Sequence, residues 1–227
     1  MVDMGNHARH WRAVFLNKQN QKTNTMKFLM GTKGRMTQVF DETGKVHAGT
    51  AVVCESMTAV QLKTKEKDGY DAVQYGFGSA RVDLQNKAAA GHLKDLPALR
   101  FLREAHGATG VARGDVAGVT LFTPGDIIEV SALSKAKGFQ GVVKRYRFAG
   151  DLATHGRKHT ERAPGSIGGG GRAGGRVIKG KRMAGRMGGD RVTVKNLRIL
   201  AVDSKTNTII ISGAVPGHPG ALVEIRG

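Results

Sequence analysis

The chain has 227 residues, with 36 Lys plus Arg against 18 Asp plus Glu and a formal charge of +18. That length suits one large domain, or a small domain with insertions, and is enough to bury a core without disulfide staples. A single cysteine, Cys54, excludes an intramolecular disulfide framework and a zinc site of several thiolates, and there is no run of about 18 apolar residues to span a membrane.

Residues 1–25 are polar, and they lack the apolar stretch of a secretory signal. They read as a poorly ordered N-terminal extension. From Met26 the pattern becomes short strands separated by turns. Lys27–Gly31 and Met36–Phe40 flank a Thr-Lys-Gly connection, and Asp41–Gly44 has the composition of a turn. Thr50–Cys54, Thr58–Leu62 and Ala72–Phe77 are rich in β-branched or aromatic residues, as strands are. Between 86 and 106 the pattern changes: Leu93, Leu96, Leu99 and Leu102 follow one another at spacings of three, after a run of alanines. This predicts two short helices divided by Pro97. Val119–Phe122 and Ile127–Val130 return to strand character, joined by Thr123–Asp126, whose central Pro-Gly is the composition of a type II turn. Val192–Ala201, Thr208–Ser212 and Ala221–Ile225 complete the set. Many short strands at regular spacing argue for a mainly β barrel or sandwich with a small α+β insert. The expected organisation is a β core over 26–83 and 111–133, a helical insert over 84–110, a basic segment over 134–191 and C-terminal strands over 192–227.

The charge is unevenly spread. Residues 134–191 hold 15 basic and 3 acidic side chains and 15 of the 33 glycines, so two thirds of the net charge lies in a quarter of the chain. Such a segment repels itself and has few apolar groups to bury, so it is not expected to fold compactly alone. It lies between strand-like regions, which makes it an internal loop and a functional one. Its partner should be polyanionic, nucleic acid foremost. Lys and Arg neutralise phosphates, glycine lets the backbone approach closely, and Arg planes with Phe139, Tyr146 and Phe148 offer stacking surfaces for unpaired bases. Folded RNA suits a long irregular loop better than duplex DNA.

Motifs for other chemistry are present only in fragments. Gly169-x-Gly171-x-x-Gly174 has dinucleotide-fingerprint spacing, but a poor strand precedes it and a poor helix follows. Gly175–Lys181 fits a phosphate loop until Arg182 stands where Ser or Thr should ligate Mg²⁺. His155 and His159 are four apart, yet Gly156 disfavours a helix and Arg157 and Lys158 would repel a cation. Two rival readings follow from these features, a nucleotide-dependent enzyme using the glycine-rich stretch and a general polyanion-binding module.

The basic segment also resembles a known family. Lys137–Arg145, Ala153–Gly156, Pro164–Gly168, Gly180–Gly188, Arg191–Val194 and Gly213–Gly217 closely resemble the bacterial-type third protein of the large ribosomal subunit. Weaker likenesses occur at Gly31–Lys33, Met36–Phe40 and Asp68–Gln74, so the resemblance runs over about residues 26–227 in family order. It implies a translation-protein-type β-barrel carrying a long basic extended loop, in a structural, non-enzymatic protein of the ribosome, cytoplasmic or, as the alternative, organellar. It further implies binding near the 3′ end of the large rRNA, a part in starting subunit assembly, and a loop directed toward the peptidyl-transferase region. The implied partners are that rRNA and neighbouring ribosomal proteins, with no membrane, no small-molecule substrate and no cofactor beyond structural Mg²⁺ of the RNA. The foremost RNA-contact candidates are Arg172, Arg176, Lys179, Lys181, Arg182 and Arg186. Lys135, Lys137, Lys144, Arg145, Arg147, His155, Arg157, Lys158, His159, Arg162 and Arg191 complete them. Two departures are visible: Arg35 replaces a glycine common in bacterial members, and Gly169 occupies the position of a Gln that several members methylate, so that modification is impossible there.

Overall fold

Alternation decides how the strands face. In Thr208–Ser212 the side chains of Ile209 and Ile211 are buried and Ile210 points the other way, as a period of two requires. Ile127–Leu133 does the same with Ile128, Val130 and Ala132. The computed structural model describes residues 27–107, 110–169 and 174–227. The extension over 1–25 and the candidate Arg172 lie outside the described residues.

Six strands close into a barrel. In chain order they are β1 (Phe28–Phe40), β2 (Val46–Val53), β7 (Ile127–Leu133), β10 (Arg191–Asp203), β11 (Thr208–Ser212) and β12 (Leu222–Arg226). Around the barrel the order is β1-β12-β7-β10-β11-β2, with every neighbouring pair antiparallel. Closure removes exposed edges, which short strands would otherwise have to protect. The protein is therefore mainly β.

A second sheet is formed by β3 (Met57–Lys63), β4 (Ala72–Ser79), β5 (Leu99–His106) and β6 (Val116–Ala117), in the order β5-β4-β3-β6. Strands expected in one core with the barrel, Thr58–Leu62 and Ala72–Phe77, thus belong to a separate sheet. Its buried face shares one apolar core with the barrel: Tyr75, Phe77 and Ala105 pack in the same cluster as Phe28, Val130 and Ile225. The rings of Phe28 and Tyr75 stack at 5.8 Å across that junction.

Three local expectations are corrected. Lys27–Gly31 and Met36–Phe40 are parts of the single strand β1, because the intervening residues form a bulge against β2 between Lys33 and Met36 rather than a turn. Of the two helices expected over 86–106, only α2 (Lys87–His92) forms, after a one-turn α1 (Lys65–Asp68) earlier in the chain; residues 99–106 are the strand β5. Asn86 caps α2 by accepting the Ala89 N–H at 2.8 Å. Beyond Pro97, β5 pairs with β4 from Ala72↔His106 to Ser79↔Leu99, and that ladder overrides the three-residue leucine spacing. Val119–Leu121 is a 3₁₀ turn rather than a strand. The turn at 123–126 is as expected, with Gly125 at φ +95° and the Asp126 N–H bonded to the Thr123 carbonyl at 3.2 Å.

Candidate nucleic-acid interface

The basic segment leaves the barrel where Leu133 of β7 pairs with Arg191 of β10. The ladder then continues outward beyond the barrel. Ser134 N–H donates to the Asp190 carbonyl at 2.8 Å, Lys137 N–H to Met187 at 2.9 Å, and Met187 N–H to Gly138 at 2.9 Å. Two-residue strands β8 (Phe139–Gln140) and β9 (Gly185–Arg186) extend the same stem. Gly188 sits at φ +74°, and a Cβ there would collide with the Lys135 carbonyl, so this close approach of the stem's two sides admits only glycine. The base of the segment therefore has order of its own, which composition did not predict: it borrows the register of two barrel strands.

The helix α3 (Val142–Tyr146) follows β8 and ends on Arg147, in the left-handed region at φ +59°. Arg145 reaches back across the stem, its Nη1 donating to the Met183 carbonyl at 2.8 Å. Its guanidinium lies 4.9 Å from the Tyr146 ring centre, that of Arg182 lies 5.8 Å from the same ring, and Phe148 is 6.3 Å from it. Two cations and two aromatics thus form one cluster, held by cation–π attraction. Among the described residues from 147 to 184 there is no helix or strand, only turns and bends.

The predicted side chains are distributed along this path. Lys135 and Lys137 lie on the outgoing side of the stem and Arg186 on the returning side; Lys144, Arg145 and Arg147 are on or next to α3. His155, Arg157, Lys158, His159 and Arg162 occupy the turns beyond, and Arg176, Lys179, Lys181 and Arg182 the return. All are exposed except Arg145 and Lys181, which are half-buried. His155 is at φ +58°, so no helix face brings it together with His159. No helix follows Lys181 either, which removes the element a phosphate loop needs.

Few of these cations meet a carboxylate. Among the described residues the segment's ion pairs are Arg157 with Asp151 at 2.5 Å and Arg191 with Glu224 at 2.5 Å. The Arg157 hydrogen bond, aided by the Leu152 N–H, holds the Asp151 carboxyl below its usual range. Arg191 stands apart from the other candidates, because its guanidinium forks onto both oxygens of Glu224. The rest of the segment presents positive charge without internal neutralisation, a strong field for a polyanion.

Sequence reasoning missed the groups that fix this segment's root. Glu224 lies between Val223 and Ile225 on β12, points away from the barrel interior and is 5% exposed. It accepts from Arg103 of β5 at 2.9 Å and from Arg191 at 3.0 and 2.5 Å, so one carboxylate ties β12, the second sheet and the start of β10 together. Lys33 donates to the carbonyls of Val215 and Gly217 at 2.6 and 2.9 Å, and burial, with nearby Lys135 second, pushes its pKa down. Partners 33 to 184 residues apart leave no local signal; an acid between Val223 and Ile225 is the one available hint.

The family pattern described as ribosomal protein L3 matches residues 108–209. The chain is 46% identical over 200 residues to the large ribosomal subunit protein uL3 of Herpetosiphon aurantiacus, a match covering 87% of this chain and 94% of that protein. It is 44% identical over 201 residues to the protein of the same name from Nostoc punctiforme, covering 87% and 95%. With that of Acidothermus cellulolyticus it shares 44% over 207 residues, covering 88% and 92%.

Proposed function

This chain belongs to the family of the large ribosomal subunit protein uL3, and from that premise we propose that it is a structural constituent of the large subunit that binds rRNA through residues 134–191. One observation carries the reading: nearly all the segment's described cations are exposed and almost unopposed, on a backbone that leaves the barrel as a hydrogen-bonded stem, makes the short helix α3 and then runs, among the described residues from 147 to 184, without helix or strand. Phosphate neutralisation releases counterions and supplies affinity, while the irregular path beyond the stem fits the crevices of a folded RNA. The function is electrostatic and geometric, with no reaction and no cofactor.

In the finer reading the barrel is of the translation-protein type, and the segment is an extended loop directed toward the peptidyl-transferase region. The protein binds near the 3′ end of the large rRNA, helps to start subunit assembly, and meets neighbouring ribosomal proteins through its globular part. The closed six-strand barrel supports the barrel type, and the segment's departure from one end of β7 and β10 supports a loop reaching away from it; the rRNA region, the assembly role and the neighbours rest on the family resemblance. The test is the salt dependence of binding to a large-subunit rRNA transcript. If about ten cations each neutralise a phosphate, log K should fall with log salt at a slope of about −7 to −9. Deleting 140–188 shortens the stem but leaves the Leu133↔Arg191 pair and the barrel ladder. That variant should lose most of the slope; unchanged affinity and slope would refute the reading.

A further inference from the structure

Beside the root of the basic segment lies a cleft of about 320 Å³, between β5 at the edge of the second sheet and the rim of the barrel. Arg100, Arg103, Arg191 and His218 contribute its basic lining, and Phe101, Leu133 and Leu222 apolar lining. The carboxylate that also lines it, Glu224, is 6% exposed at its side chain and already engaged by Arg103 and Arg191. One negative charge faces three arginines, so the cleft is positive. Arg103 and Arg191 remain 44% and 49% exposed, and Arg191 gives Glu224 two of its five N–H donors. Arg100 lies 5.0 Å over the Phe101 ring, and Leu133 is 58% exposed although it belongs to a barrel strand.

A cationic rim over an apolar floor matches the two halves of a nucleotide, an anionic phosphate and a flat base with an apolar face. The volume lies at the lower end of small-ligand pockets, which start near about 300 Å³, so it admits one splayed-out nucleotide and excludes a duplex. Leu133 and Arg191 are also the last barrel residues before the segment, so an RNA strand lying along the stem passes the mouth of the cleft. We propose that this cleft captures one unpaired nucleotide of the large-subunit rRNA, with its phosphate on Arg100, Arg191 and His218 and its base against Phe101 and Leu222. The inference rests on the rRNA-binding reading above and adds to it a base-holding site on the globular part.

The test uses the full-length protein and a large-subunit rRNA transcript carrying 4-thiouridine. Irradiation should cross-link the RNA to peptides containing residues 99–103 or 218–222, in addition to peptides from 134–191. In an Arg100→Ala/His218→Ala variant, whose exposed side chains take no part in the Glu224 ion pairs, the cleft cross-links should disappear and binding weaken about tenfold. The salt slope should become shallower by about 0.7–0.9, the contribution of one phosphate. Cross-links confined to 134–191 in the wild type would overturn the proposal, as would full affinity and slope in the variant. So would displacement of the cleft cross-links by an acidic peptide that leaves RNA affinity unchanged, which would make the occupant a protein. A wild-type protein that fails to bind the transcript at all refutes the parent reading instead.

Discussion

Replacing Glu224 by Gln should destabilise the protein by about 2 kcal/mol, although it changes little more than one atom. Oε1 accepts from Arg103 Nε at 2.9 Å and Arg191 Nη1 at 3.0 Å, and Oε2 accepts from Arg191 Nη2 at 2.5 Å. A Gln with its carbonyl in the first position keeps two bonds, now from guanidinium donors to a neutral acceptor, and turns an NH₂ donor toward the Arg191 Nη2 donor. Each hydrogen bond to a charged group contributes about 1.5–3 kcal/mol when buried, but both arginines are close to half exposed, and solvent screening removes about half of that. Urea unfolding at neutral pH checks the value: the midpoint should fall with the slope unchanged. In a double-mutant cycle, Glu224→Gln and Arg191→Met should couple by about 1 kcal/mol. A destabilisation below about 0.5 kcal/mol, or strict additivity with Arg191→Met, would refute the tie between β12 and the segment's root.

Asp126 is held at a pKa of about 2 by Lys27, 2.8 Å away, and then by the Thr123 N–H and hydroxyl. Because its folded pKa lies below the ordinary 3.8, its stabilising contribution is complete well above that value and disappears as pH falls from about 4 to about 2. Asp126→Asn should flatten the loss of stability across that window in acid titrations followed by circular dichroism. Burial pushes the Cys54 thiol up to about 12, so a disulfide reagent at pH 8 should label it only after unfolding. Rapid labelling of the native protein would contradict its position. Gly188→Ala should open the stem against the Lys135 carbonyl without melting the barrel. Amide exchange should then accelerate at Lys137 and Met187 and stay slow at Ile209 and Ile225.

The strands of the barrel were legible because short stretches such as Thr208–Ser212 and Ile127–Val130 are β-branched and lie between turn signals; which of their side chains face inward is decided only by the sheet. Residues 99–106 were not, since Leu99 and Leu102 prolong the spacing of Leu93 and Leu96, and only pairing with β4 decides in favour of a strand. The division of 26–133 between two sheets was equally hidden, because partner choice depends on contacts distant in sequence. For the candidate interface, clustering of Lys, Arg and Gly was visible in composition alone. The stem was not, as Lys137 and Met187 lie 50 residues apart and have no pattern that announces their bond. Arg191 illustrates the limit best. Counted among the segment's cations, it forks onto a carboxylate 33 positions later.

The position of β12 between β1 and β7 has a consequence for the order in which the molecule is made. During synthesis β1, β7 and β10 all precede residues 222–226, so the ring of strands stays open until that stretch has emerged. The same five residues carry Glu224, the counter-ion of Arg103 and Arg191. A nascent chain therefore displays its entire cationic arm while its barrel is still unclosed. If the arm binds RNA as proposed, RNA engaging it early would meet a scaffold free to settle around it before the final strand fixes the arrangement.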